Sequence, residues 1–212
     1  MKTQAQISAI IEELKKLYPD AICSLDYEKD YELLFSVRLA AQCTDARVNL
    51  VTPALFARFP TLEAFAAATP EEVGEYVRSC GFWRAKARDI VGSAQMLLHD
   101  YGGRVPDTME ALLRLPGVGR KTANLVLGDV YGKEGYVCDT HCIRITGRLG
   151  ITDGSKDPLK VEQQLRKTIP PEESNNFCHR MVLHGRALCM ARGPKCVECP
   201  LKALCDYGMS AQ

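Results

Sequence analysis

Apolar residues recur at three- and four-residue spacing along almost the whole chain. Ile7, Ile10, Ile11, Leu14, Leu17 and Tyr18 set the pattern: they share one face of a first helix, and Pro19 marks its end. The polar punctuation suits helices as well. Thr69-Pro70-Glu71-Glu72 reads as a capping box with proline in the first helical position. Asp107 and Glu110 repeat the box with an Asp cap, and Asp157-Pro158 opens a later helix. Tyr101-Gly102-Gly103 closes a long helix that starts near Arg84. No stretch alternates as a strand does, and no repeat, low-complexity tract or long linker interrupts the pattern. It predicts an all-α fold of about ten helices.

One helix pair carries more than packing. Leu112, Leu113 and Leu115 read as an incoming helix that stops at Pro116. Gly117 and Gly119 then permit positive φ and a close backbone approach. The next helix starts at Arg120 and buries Ala123, Leu125, Val126 and Leu127. A helix start behind glycines presents N–H groups in a concave arrangement that suits phosphate. A tight helix–helix turn also uses glycines for geometry alone, so the weight lies with the neighbours. Lys121 sits in the first helical turn, where the dipole and adjacent Arg120 both favour a free amine, the form that attacks carbon. A nearby carboxylate acts in the opposite sense, and a solvated lysine is the ordinary alternative. Asp139 is the natural N-cap of THCIRITGRL, a helix whose apolar face is Cys142, Ile143, Ile145 and Leu149. Capping alone explains an Asp here. A capping carboxylate is nonetheless held rigidly and can keep one oxygen for other work.

The chain has 212 residues, 46% hydrophobic and 25% charged, an ordinary globular balance. A net charge of +1 means that any nucleic-acid partner is met by a local patch. The N-terminus lacks an apolar stretch of signal-peptide length and nothing is long enough to span a bilayer, so a cytoplasmic protein is expected. Ten cysteines then suggest metal rather than disulfides. Cys189, Cys196, Cys199 and Cys205 form C-x6-C-x2-C-x5-C, a metal site whose spacing does not separate zinc from an iron–sulfur cluster. Arg192, Lys195 and Lys202 outnumber Glu198 and Asp206 there, a modest basic surface for phosphates. Cysteines 23, 43, 80, 138, 142 and 178 read as small buried hydrophobes. His99, His141, His179 and His184 read as structural, with His141 set apart because it follows Asp139 by two positions.

LPGVGRKTANLVL, then CDTHC, then the four-cysteine run resemble the endonuclease III family of helix–hairpin–helix DNA glycosylases with associated lyase activity. The likeness extends from the first helix to Cys205. It implies a two-lobed all-α fold with a DNA groove between the lobes: a six-helix barrel lobe over residues 22–132, and a second lobe of 1–21 with 133–212. It implies Lys121 as nucleophile, Asp139 as catalytic carboxylate, and the four cysteines as ligands of a [4Fe–4S] cluster. In LAAQCTD, Gln42 matches the residue that fills the gap left by an extruded base. In Gly81-Phe82-Trp83, Phe82 or Trp83 matches the apolar wedge. Gly117, Gly119, Arg120, His141, Arg192 and Lys195 complete the expected DNA contacts. Cys138, Cys142 and Cys43 stand where the family more often has valine, isoleucine or alanine.

The implied activity is removal of damaged pyrimidines from duplex DNA by a monomer, with lyase cleavage at the abasic site. A non-catalytic DNA-binding module would leave Lys121 and Asp139 unexplained, and an iron–sulfur electron carrier would leave the hairpin unexplained. An adenine-specific relative normally lacks the lysine and has a further C-terminal domain, whereas this sequence ends at Gln212, seven residues after Cys205.

Overall fold

The computed structural model describes residues 1–210; Gln212 lies outside the described residues. The described chain is helical, without a strand. The α-helices in order are α1 (Gln4–Leu17), α2 (Asp30–Ala40), α3 (Asp45–Arg58), α4 (Leu62–Ala67), α5 (Pro70–Val77) and α6 (Trp83–Tyr101). They continue with α7 (Met109–Leu112), α8 (Arg120–Asp129), α9 (Thr140–Leu149), α10 (Pro158–Thr168), α11 (Ser174–Ala187) and α12 (Asp206–Ser210). The all-α expectation holds, with two short helices beyond the ten expected. The chain divides into two compact units, Cys23–Tyr131 and Met1–Ile22 with Gly132–Gln212.

The unit Cys23–Tyr131 holds α2 to α8. Its apolar centre is aromatic: Phe35 and Phe65 meet edge to face at 5.0 Å between ring centroids, and Phe59 lies 5.1 Å from Phe65. Around them Leu33, Leu39, Leu55, Val73, Ala87, Ile90 and Ala94 are buried. Local chemistry sets the helix ends. Thr69 and Glu72 cap each other across the first turn of α5, and Gly102 ends α6 in the left-handed region at φ 59.

Two sequence readings change here. Thr108, not Asp107, caps α7, its side chain accepting the Ala111 N–H. The incoming helix ends at Leu112, so Leu113 and Leu115 fall in the turn; Leu115 is still buried, while Leu113 is 39% exposed.

In the other unit, α1 buries Ile7, Ile10, Ile11 and Leu14 as its spacing predicts. The cap at Asp157 forms as expected, accepting from Leu159 and Lys160. Helix α9 buries Cys142, Ile145, Thr146 and Leu149, so Thr146 takes the inward place expected of Ile143, its hydroxyl donating to the Cys142 carbonyl at 2.7 Å. Tyr136 is fully buried and its hydroxyl donates to the Ile169 carbonyl at 2.9 Å.

Candidate active site and metal centre

The hairpin between α7 and α8 rests on α6. Ser93 Oγ donates to the Pro116 carbonyl at 3.2 Å, and Gly92 leaves room for the Pro116 ring. Gly117 has φ +72, and a Cβ there would run into the Arg38 guanidinium and the Asp89 carboxylate. Those two groups pair at 2.7 Å through both Nε and Nη2 of Arg38. Gly117 is thus required by conformation and by space. Gly119 corrects the sequence expectation: it is extended at φ −106 and ψ 176, with nothing within 4 Å of an added Cβ. It is the N-cap of α8 and no side chain caps this helix start, which leaves backbone N–H donors for an incoming acceptor. Lys121 comes next in the first turn and is exposed, as is Arg120.

The same unit carries two backbone outliers. Gln42 (φ 55) and Phe82 (φ 47) are the non-glycine residues with positive φ among the described residues. Such strain persists only where the surroundings impose it, and it concentrates at functional sites. Gln42 is exposed between α2 and α3. Phe82 is 69% exposed at the start of α6. Trp83 behaves otherwise. Its ring occupies the space beside Gly74 where a Cβ would stand, with the Arg84 guanidinium 4.3 Å and that of Arg78 5.4 Å from the ring centroid. Trp83 therefore seats α6 on α5 and Phe82 is the presented ring.

In the other unit Asp139 caps α9 as its sequence predicts, Oδ1 accepting the Cys142 N–H at 2.7 Å. It is half-buried. Cys142 behind it is fully buried, and the neighbouring thiols of Cys138 and Cys178 together with burial push its own thiol well up. His141 packs where Gly185 lacks a side chain, its Nδ1 3.1 Å from Arg144 Nη2. Of the six cysteines expected to be buried, Cys23 and Cys43 are only partly so.

Cys189, Cys196, Cys199 and Cys205 line one cavity, together with Arg148, His184 and Leu201. Arg148 Nη1 donates to Cys189 Sγ at 3.3 Å, and the Gly208 N–H donates to Cys205 Sγ at 3.3 Å. His184 bridges Tyr18 at 3.1 Å and Cys199 Sγ at 3.7 Å, and burial pushes it down to about 4, so it stays neutral. Arg192 and Lys195 are exposed beside the cavity.

The helix–hairpin–helix glycosylase model, described as HhH-GPD superfamily base excision DNA repair protein, matches residues 35–171. Endonuclease III of Synechocystis is 49% identical over 93% of this chain and 90% of its own length. The Bacillus subtilis enzyme is 40% identical over 96% and 93%. The chain belongs to the endonuclease III family. Its structure superposes on a trapped endonuclease III–DNA covalent intermediate with a TM-score of 0.93, at 43% identity and 99% coverage of both chains. It is accordingly a DNA glycosylase and lyase of base-excision repair.

For an endonuclease III chain the donor set can be tested against an iron–sulfur group. Burial raises the Cys199 and Cys205 thiols, and the neighbouring thiols raise them further. Four crowded thiols resist ionisation unless a strongly cationic group stands among them. The N–H donors aimed at Cys189 and Cys205 are those that stabilise cluster-bound sulfur. The donor chemistry fits the group, although among the described residues no three His, Cys, Asp or Glu side chains are gathered closely enough to hold a metal ion.

Sequence reasoning missed two features of the unit Cys23–Tyr131. One is the Arg38–Asp89 pair beneath Gly117. The other is Lys86, which is 1% exposed. Lys86 falls on the face of Ile90, Ala94 and Leu97, so helical periodicity marks it as inward.

Proposed function

We propose that Lys121 is the nucleophile and Asp139 the assisting carboxylate in excision of damaged pyrimidines from duplex DNA. The carrying observation is an exposed lysine in the first turn of an uncapped helix, held by a hairpin that only a glycine at 117 permits. A damaged pyrimidine leaves the stack cheaply because it stacks and pairs poorly. The Lys121 amine attacks C1′, the glycosidic bond breaks, and the base departs with its electron pair. Ring opening gives a Schiff base to Lys121, which acidifies the C2′ hydrogens. Loss of one C2′ proton expels the 3′ phosphate. Asp139 spends Oδ1 on its cap, leaving Oδ2 to stabilise positive charge at the sugar and assist proton movement.

Gln42 fills the gap left by the extruded nucleotide and Phe82 wedges into the stack, while Trp83 supports the wedge. Gly117, Gly119 and Arg120 hold the backbone phosphates, and His141, Arg192 and Lys195 extend that contact. Cys189, Cys196, Cys199 and Cys205 hold a [4Fe–4S] cluster, which supplies structural charge and order to the segment that bears Arg192 and Lys195. The protein works as a monomer in the compartment that holds the cell's DNA. No helix among the described residues is long and apolar enough to cross a membrane.

Borohydride trapping on abasic DNA tests the assignment. Lys121→Gln is expected to give no trapped adduct while still binding an abasic site. Asp139→Asn keeps much of the cap but loses the charge, so base release should fall by about two to four orders of magnitude. Elimination at a preformed abasic site should suffer less. A Lys121→Gln protein that still traps, or an Asp139→Asn protein with normal base release, refutes the roles.

A further inference from the structure

Lys86 lies in the first turns of α6, pointing inward beside Ala87 and Ile90. A lysine is badly placed there. Burial opposes its charge, and so does the positive end of the helix dipole. Its ammonium is answered by two backbone oxygens: Nζ donates to the Leu39 carbonyl at 2.8 Å and to the Cys80 carbonyl at 2.7 Å. Both carbonyls end an element. Leu39 lies in the last turn of α2, and Cys80 closes the 3₁₀ turn Arg78–Cys80. Carbonyls at helix ends lack a partner within their own helix and carry the negative end of the dipole, so one ammonium satisfies both.

Each carbonyl stands just before a strained loop residue. Gln42 comes three residues after Leu39, and Phe82 two residues after Cys80. These are the two exposed residues with φ 55 and φ 47. Beside Lys86 stand the thiols of Cys43 and Cys80, one from each loop. Burial lowers the lysine's proton affinity, with the two thiols acting against it and Arg38 adding to it.

We propose that Lys86 is a positioning residue that couples the Gln42 loop to the Phe82 loop, so that gap-filler and wedge meet the duplex as one rigid probe. The coupling rests on the proposed part of both loops in DNA interrogation. With an apolar side chain at 86, both buried carbonyls lose their donor. Each loop then relaxes alone from a conformation that costs strain to hold.

The test compares Lys86→Met and Lys86→Arg with Gln42→Ala and Phe82→Ala. Two substrates are used: a duplex with one damaged pyrimidine, and a single-stranded abasic oligonucleotide. Lys86→Met should slow base release from the duplex at least tenfold and leave borohydride trapping on the single strand within twofold. Lys86→Arg should recover part of the loss. Gln42→Ala should cost less in the Lys86→Met background than in the wild type, because the loops are already uncoupled. Duplex activity within twofold of wild type in Lys86→Met, or equal loss on both substrates, overturns the coupling. If Gln42→Ala and Phe82→Ala themselves leave duplex activity unchanged, the loop assignment fails and the proposal with it. Should Lys86→Met fail to fold, amide exchange of the wild type decides: residues 40–44 and 80–83 should share one protection level and gain protection together on an abasic duplex. Separate levels overturn the proposal.

Discussion

Gly117 and Gly119 look equivalent in the sequence and are not equivalent in the molecule. At Gly117 a side chain meets both a left-handed backbone and the Arg38–Asp89 pair. Gly117→Ala should destabilise the protein by about 2–3 kcal/mol, measured by denaturant unfolding. At Gly119 the backbone is extended and the surrounding space is open. Gly119→Ala should therefore change stability by less than about 1 kcal/mol, yet weaken binding to abasic duplex, because a methyl group keeps a phosphate from the helix start. Unchanged affinity in Gly119→Ala would show that no phosphate comes close there. The sequence could mark both residues as glycine but not say why each is one. The reason at 117 is a left-handed backbone and a pair of side chains from α2 and α6, whereas at 119 the fold itself imposes no glycine.

Among the elements, α1 and α11 of one unit are joined by a charge triad. Glu173 Oε1 meets Lys15 Nζ at 2.6 Å, and its Oε2 meets Arg180 Nη1 at 3.1 Å. Burial alone would raise the Glu173 carboxyl; the two cations outweigh it and hold it below the usual glutamate range. A carboxyl lowered in the folded state contributes stability above its unfolded value, about 4.3, and loses it as pH falls through the folded value. Glu173→Gln should cost about 1–2 kcal/mol at pH 7 and converge with wild type in strong acid. Chemical denaturation of both proteins at neutral and acidic pH checks this, and a pH-independent difference would rule out the charge as the cause. The helices themselves were legible in sequence because their ends are satisfied within a turn: Thr69 with Glu72, Asp157 with Lys160, Asp139 with Cys142. The triad was not, because Lys15 stands far from its two partners in the chain.

For the molecule as a whole, each unit has its own apolar centre, but residues 191–205 bury little besides Leu201. Apolar burial therefore contributes little to their order, and the proposed cluster would supply it. Protein prepared anaerobically should contain about four irons per chain. Cys199→Ser should lose them and become open to proteolysis between residues 189 and 205, while amide protection in α2 to α6 persists. Stoichiometric zinc without iron would overturn the cluster, and retained iron in Cys199→Ser would remove that residue from the ligand set.

By itself the sequence determined the helical class, most of the caps and the buried faces of α1 and α8, and it named Lys121, Asp139 and the four cysteines as the candidates for chemistry. These come from interactions within a few residues, or from residue types that few chemistries need together. Only the tertiary structure decided that Phe82 is presented and Trp83 packed against α5. The deciding partner is Gly74, a residue with no side chain to announce it. It also placed Gln42 in a left-handed backbone and turned Lys86 inward onto carbonyls 47 and 6 residues away. A backbone carbonyl is the same in every residue, so no residue type in the sequence marks the two that hold Lys86; folding alone brings them to it.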